Sequence, residues 1–300
     1  MLDPMLLRQA TDAVNARIGA LLRFAQRRSA HHLSAALAPI DLTVSQAEAL
    51  ASLAAAGEAV EQQMLARSTG IDRSTASELV VGLESRGLIG RIAGADRRRK
   101  MLQLTPRGES LGDAAMSAMT EGNRRFAAES GIDEALLARL LTPIIARPSP
   151  APAYASPPSP ADFLAGSHFL LRRASQVASA MFEDGTRAFD TRPFEVTVLT
   201  VLAIGHAVSV SDLQDIAGST RSVVTPSIKR LTGRGFVHRG ANAADRRSAL
   251  LSITQDGQAH FADLLDPIER YEKSLLSPLD NAAQARLRAI LLQIAASVQG

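Results

Sequence analysis

Apolar residues recur at helical spacing through most of the chain. Leu7, Val14, Ile18, Leu21 and Ala25 share one face and predict a long first helix. Ser45, with Glu48 three residues on, has capping-box spacing and predicts a helix over 45–56 that Gly57 stops. A short helix is expected over 61–68, a turn at Gly70, and a helix over 73–86 closed by Gly87. Residues 88–92 and 101–104 read as strands joined by a polar, basic tip. Thr105 is placed to cap a helix that opens on Pro106 and runs to about Ser130. Leu136, Leu137, Leu140, Leu141, Ile144 and Ile145 make a last helix. The second half repeats this order: helices over 162–188, 193–204, 210–217 and 222–233, a hairpin over 236–253, then helices over 255–276 and 280–298.

The repetition extends to residue identities. LVVGLESRGLIGR (79–91) aligns with SIKRLTGRGFVHR (227–239), Gly87 meeting Gly235 at an offset of 148. ADRRRKMLQLTPRG (95–108) aligns with ADRRSALLSITQDG (244–257) at an offset of 149. A one-residue change of offset belongs in a loop, and self-similarity at a fixed period marks duplicated structure. Between the copies lies RPSPAPAYASPPSP, with six prolines in fourteen residues. Such density forbids helix and favours an extended form spanning roughly 40 Å. The expected division is therefore 1–146, a linker over 147–160, and 161–300.

Composition narrows the classes. Of 300 residues 46% are hydrophobic, with Ala and Leu dominant, which suits helical cores. No cysteine is present, which removes disulfides, thiolate nucleophiles and thiol redox sensing. The six histidines are scattered without ligand spacing, so neither a metal nor another cofactor is expected. No P-loop, GxGxxG, GxSxG or HExxH occurs, and an enzyme is not expected. The absence of a leader pattern and of an apolar run long enough to span a bilayer leads to the expectation of a cytoplasmic protein without membrane contact. The net charge of +3 says little about nucleic acid, so the placement of basic residues matters more.

Helix, glycine turn, helix and a hairpin with a basic tip make a winged helix-turn-helix. The expected fold is mainly α with small β-hairpins: two such units and a helical layer of the dimerisation type. The second helix of the pair can enter a major groove. Its first turns carry Arg73, Ser74, Thr75 and Ser77 in copy one, and Arg221, Ser222 and Thr225 in copy two, followed by Lys229 and Arg230. The tips carry Arg97, Arg98, Arg99 and Lys100, and Arg246 and Arg247. A projecting guanidinium suits a narrow minor groove or the adjoining backbone.

The run from Ser74 through Val80, Leu83, Glu84, Arg86, Gly87, Arg91, Asp96, Arg97, Arg98, Leu104 and Thr105 to Gly108 resembles the MarR family of bacterial transcriptional regulators. The second copy matches with Ser222, Leu231, Arg234, Gly235, Arg239, Asp245, Arg246, Arg247, Thr254 and Gly257. The resemblance implies that Asp96 orients Arg98 and Asp245 orients Arg247 for the minor groove. An isolated Asp-Arg pair would be a surface ion pair of little value; its recurrence after the same helical pattern favours the functional reading. Where the family often has a basic residue the chain has Glu78 and Pro226, and Pro226 requires a place in the first helical turn.

The resemblance also implies double-stranded DNA as partner, a repressor's role, and interlocked first and last helices. The two halves are then expected to associate as a pseudo-dimer within one chain. The alternative is two chains with four reading heads. A small-molecule effector, often aromatic or phenolic in the family, is implied between the dimerisation helices and the DNA-binding lobe. Arg23, Arg27, His31, His32 and His168 are the candidates to meet it. The rival reading is a ligand sensor or protein-partner module that kept the fold with weak or no specific DNA binding.

Overall fold

The computed structural model describes residues 4–69, 71, 73–93, 100–147, 166–241 and 249–297. The first repeat contains α1 (Pro4–Asn15), α2 (Ile18–Leu37), α3 (Val44–Ala56), β1 (Val60–Glu61), α4 (Gln62–Thr69), α5 (Arg73–Ser85), β2 (Ile89–Ala93), β3 (Lys100–Leu104), α6 (Pro106–Ser130) and α7 (Glu134–Ile145). The second contains α8 (Ser167–Gly185), α9 (Pro193–Leu202), β4 (Val208–Ser209), α10 (Val210–Ile216), α11 (Arg221–Gly233), β5 (Val237–Ala241), β6 (Ala249–Ile253), α12 (Gln255–Leu276) and α13 (Asn281–Ala296). The fold is mainly helical, with two small antiparallel sheets ordered β1-β3-β2 and β4-β6-β5.

Several sequence expectations change. The long first helix is two helices, α1 and α2, interrupted at Ala16 and Arg17. No Gly or Pro marks the break, and Val14, Ile18, Leu21 and Ala25 are buried on either side of it. The capping box of α3 belongs to Thr43, not Ser45. The Thr43 hydroxyl accepts from the Gln46 amide at 3.2 Å, and Gln46 Oε1 accepts from the Thr43 amide at 3.0 Å. Glu48, the residue expected to close that box, is instead buried at 2% exposure. Each sheet has a third strand that was not foreseen, because a two-residue strand has no alternation to read. Gly70, most of the proline-rich segment and both wing tips lie outside the described residues.

The chain forms two compact units, and each draws on both repeats. Unit 1 comprises Met1–Phe24 and Ala178–Asp280; unit 2 comprises Ala25–Val177 and Asn281–Gly300. The sequence repeats and the compact units are therefore different divisions of the chain. In unit 1, α1 packs on α9 and α10, burying Ala10 and Val14. The centre of this unit is α9, which is buried from Phe194 to Leu202 and is mostly apolar, with Glu195, Thr197 and Thr200 enclosed among its valines and leucines. In unit 2 the core gathers Leu33, Leu50, Leu83, Leu88 and Leu102, each fully buried. There α13 packs on α7, and Gln293 Nε2 donates to the Ser130 and Gly131 carbonyls at 2.9 and 2.7 Å.

The Thr-x-x-Gly block shared by the repeats is a structural joint. Thr105 Oγ1 accepts from the Gly108 amide at 3.1 Å and donates to the Gly87 carbonyl at 2.8 Å. Thr254 does the same with Gly257 and Gly235 at 3.0 and 2.7 Å. A Cβ on Gly108 or Gly257 would collide with the carbonyl of Leu88 or Phe236. The helix after the wing is thereby pinned to the turn before it. Thr254→Ala is expected to lower the unfolding free energy by about 1–2 kcal/mol, the cost of a lost N-cap. A denaturant midpoint that does not move would remove the joint's role.

Candidate nucleic-acid interface

The fold turns one face of α5 and of α11 inward and leaves the other open. Ala76, Val80 and Leu83 are buried, while Arg73, Ser74, Thr75, Ser77 and Glu78 are exposed. Val224, Ser227, Ile228 and Leu231 are buried, while Arg221, Ser222, Thr225, Pro226 and Lys229 are exposed. Of the residues expected on these faces, Arg73, Ser74, Thr75, Ser77, Arg221, Ser222, Thr225 and Lys229 are exposed, and Arg230 is not. Ser77 Oγ donates to the Arg73 carbonyl at 3.0 Å and accepts from Gln62 Nε2 at 2.8 Å, which brings the glutamine to the same face. Val223 (40% exposed) stands beside Ser222 and was not foreseen, although an apolar residue in a polar first turn is a readable signal for thymine-methyl contact.

Pro226 is the sixth residue of α11, not in its first turn. Its missing N–H leaves the Ser222 carbonyl without a helical donor, and both residues are exposed, so solvent can serve that oxygen. Ser227 Oγ donates to the Val223 carbonyl at 3.1 Å within the same turn.

α5 and α11 differ in charge. α5 carries one arginine and two glutamates, whereas α11 carries three cations and no acid. In unit 2, Glu84 holds Arg91 in a two-point contact at 2.6 and 2.8 Å. The repeat-related pair in unit 1 is Thr232 and Arg239, so Arg239 has no such carboxylate. Arg239 therefore joins Arg221 and Lys229 along a cleft of about 750 Å³, with Ser211, Gln214 and Thr225.

Arg230, expected on DNA, is turned into the lobe. Its Nε donates to Glu195 Oε1 at 2.6 Å, and Nη2 reaches the Asp190 carbonyl at 3.0 Å. Glu195 is fully buried, so the guanidinium is held as a fold element. Arg86 and Arg234 act likewise, donating to the Asp41 and Asp190 carbonyls at 2.8 and 2.6 Å. Both aspartates sit in the left-handed region, at φ 52 and φ 46. Asp96, Arg97, Arg98, Arg99, Asp245, Arg246 and Arg247 lie outside the described residues, and Lys100 is described only as the first residue of β3. The five-pair ladders that carry the wings, Ile89↔Leu104 to Ala93↔Lys100 and Val237↔Ile253 to Ala241↔Ala249, are both in place.

The effector candidates divide between the units. Arg23 belongs to unit 1, and Arg27, His31, His32 and His168 to unit 2. His31 is exposed; His32 packs on Phe126 and lies 3.5 Å from Glu129. His168, expected as a ligand group, is enclosed at 2% exposure. Its Nδ1 lies 2.9 Å from Ser29 Oγ, and its amide donates to Asn123 Oδ1 at 3.0 Å. Burial, with Arg172 close by, holds its imidazole down to about 3. His168 is therefore neutral near pH 7, and the 4.0 Å approach of Nε2 to Glu48 is dipolar rather than ionic. Among the described residues no group of three or more His, Asp or Glu is placed to hold a metal ion.

The depressed His168 sets a pH dependence. The unfolded side chain takes its proton near 6.5, so between that value and about 3 the unfolded state binds more protons. Stability is then present above pH 6.5 and lost as pH falls. Glu48, raised by burial, contributes with the opposite sign, so the comparison must be made against a His168 variant. Between pH 8 and 5, the native chain is expected to lose about 2 kcal/mol more than His168→Gln. Parallel urea curves at the two pH values check this, and equal losses would exclude it.

Two open-faced helices, α5 and α11, each followed by a wing stalk, define a tandem winged helix-turn-helix protein. Residues 40–99 and 191–248, one stretch in each repeat, both match the MarR family. It is 26% identical over 131 residues to the uncharacterized HTH-type transcriptional regulator YdgJ of Bacillus subtilis, covering 44% of this chain and 76% of that protein. It is 25% identical over 122 residues to the HTH-type transcriptional regulator PecS of Dickeya dadantii, covering 41% and 71%. The solved structure of Bordetella bronchiseptica BpsR, concerned with regulation of its DNA binding by 6-hydroxynicotinic acid, matches at 26% identity and a TM-score of 0.43. It covers 46% of this chain and 98% of BpsR. No helix among the described residues is long and apolar enough to cross a membrane.

Proposed function

We propose that the chain is a sequence-specific double-stranded DNA-binding regulator of transcription, a cytoplasmic repressor whose grip is modulated by a small molecule. The observation that carries this is the exposed polar first turn of both α5 and α11, each beside its wing stalk. We read one chain as a pseudo-dimer, which the mixed make-up of the two units supports, since each takes helices from both repeats. Because α11 is cationic and α5 is not, the two lobes read unequal half-sites, and the operator is asymmetric. The effector enters beside Arg23. The acidic Glu78 on α5 favours the second reading, a partner-binding module.

Titration against DNA from upstream of its own gene, over a salt series with random competitor, separates the two. Competitor-resistant binding that weakens steeply with salt is the regulator's signature. Binding no tighter than to random DNA supports the module. Light scattering at one chain's mass supports the pseudo-dimer, and twice that mass the four-headed assembly.

A further inference from the structure

The stalk of each wing carries an arginine at the same place. Arg91 pairs with Leu102 across β2 and β3, and Arg239 with Leu251 across β5 and β6. The two are thus equivalent by strand register as well as by the sequence offset of 148. At that offset Arg221 corresponds to Arg73, Thr225 to Ser77, Lys229 to Val81 and Thr232 to Glu84. One framework carries two different sets of charges.

In unit 2 one edge of the Arg91 fork is taken. Its Nε and Nη2 donate to the two oxygens of Glu84, seven residues back on α5, at 2.6 and 2.8 Å. Those two parallel donors are the ones a phosphate would use. The pair is partly exposed, so it contributes little to stability. Its effect is to set a carboxylate where an anion would have to sit. Val81, 59% exposed, stands where the other repeat has a lysine, and Glu78 adds a second exposed acid. Arg73, Glu78, Glu84 and Arg91 together carry no net charge. In unit 1 the clamp is missing, because position 232 is threonine. Arg221, Lys229 and Arg239 are all exposed along one cleft, and among the described residues no acid lines it. Three cations around one cleft repel one another, and a polyanion relieves that repulsion.

Resting on the reading of the chain as a DNA-binding regulator, we infer that Arg239 and Lys229 seat the DNA backbone in the unit 1 cleft, and that Glu84 withholds Arg91 from the same contact in unit 2. Glu84 then acts as a resident anion. DNA reaches Arg91 only by displacing it, and the displaced carboxylate repels the incoming phosphate. The unit 1 lobe grips through helix and stalk together, and the unit 2 lobe without its stalk arginine. The first repeat has the more basic wing tip in sequence, so each comparison below stays within one lobe.

The test is anisotropy titration of the full chain with a labelled duplex from upstream of its own gene, over a salt series. Arg239→Gln is expected to weaken binding by roughly three- to tenfold and to lower the salt slope by about 1, while Arg91→Gln leaves both unchanged. Thr232→Glu installs the clamp and should reproduce the loss seen with Arg239→Gln. Glu84→Thr releases it and should tighten binding by a similar factor, and adding Arg91→Gln should cancel that gain. Urea curves on every variant show that affinity is compared between equally folded chains. Equal losses from Arg239→Gln and Arg91→Gln, or none from Thr232→Glu, would overturn the difference between the lobes. A Glu84→Thr gain that is absent, or that persists in the double variant, would overturn the role of Glu84, since a persistent gain comes from net charge alone. A native chain without salt-dependent affinity for any duplex removes the DNA-binding reading and this inference together. A native chain that binds while Arg239→Gln binds equally well removes only the inference.

Discussion

Replacing Arg98 and Arg247 together with alanine is expected to weaken specific DNA binding by roughly 100-fold or more, and each alone by roughly tenfold. Both follow an aspartate in a basic run between two paired strands, and both strand pairs are five residues deep. If the guanidinium reads a narrow minor groove, lysine at both positions should restore only part of the affinity, since a compact ammonium lacks the planar fork. If each arginine contacts phosphate alone, lysine should suffice, and the alanine pair should lower the salt slope by about 2. Anisotropy titrations at several salt concentrations distinguish these. Unchanged affinity in the double alanine variant would take the wings out of the interface and favour the partner-binding module.

Arg230→Ala is expected to destabilise unit 1 by about 3 kcal/mol, because it strips a buried carboxylate of its cation. Glu195 is fully buried and would keep only its bond from the Arg192 amide. Its neighbour Lys229 should behave in the opposite way. Exposed in the cleft beside Arg221 and Arg239, it should cost several-fold in DNA affinity when replaced and almost nothing in stability. Chemical denaturation and DNA titration of both variants give the contrast. A stable Arg230→Ala protein that has lost DNA binding would return Arg230 to the interface.

That pair of neighbours shows where sequence reasoning reached its end. Periodicity told which face of α11 is open, and Lys229 and Arg230 both look like donors from there. Only folding brings Glu195 to the second of them. The elements themselves were readable because long helices with buried faces have a period, and because the repeat supplied each boundary twice. The break after Asn15 was not, since no residue there is a helix breaker and the apolar stripe continues through it. Thr43 and Ser45 both have a glutamine or glutamate three residues on, and local spacing alone does not choose between them. Burial chose, by taking Glu48 into a pair with Arg172 from the other repeat. His168 looked like a free imidazole for the same reason: Ser29 and Asn123 reach it only in three dimensions.

The make-up of the units also fixes an order of events at the ribosome. The main packing partners of α1 are α9 and α10, which emerge after the whole first repeat and the proline-rich segment. At translation rates of about 5–20 residues per second, α1 waits roughly 10–40 s for the surface that buries Val14. Unit 2 waits longer still, because α13 completes it after residue 280. Cutting the chain itself at the proline-rich segment would leave two pieces that each lack helices belonging to their compact units.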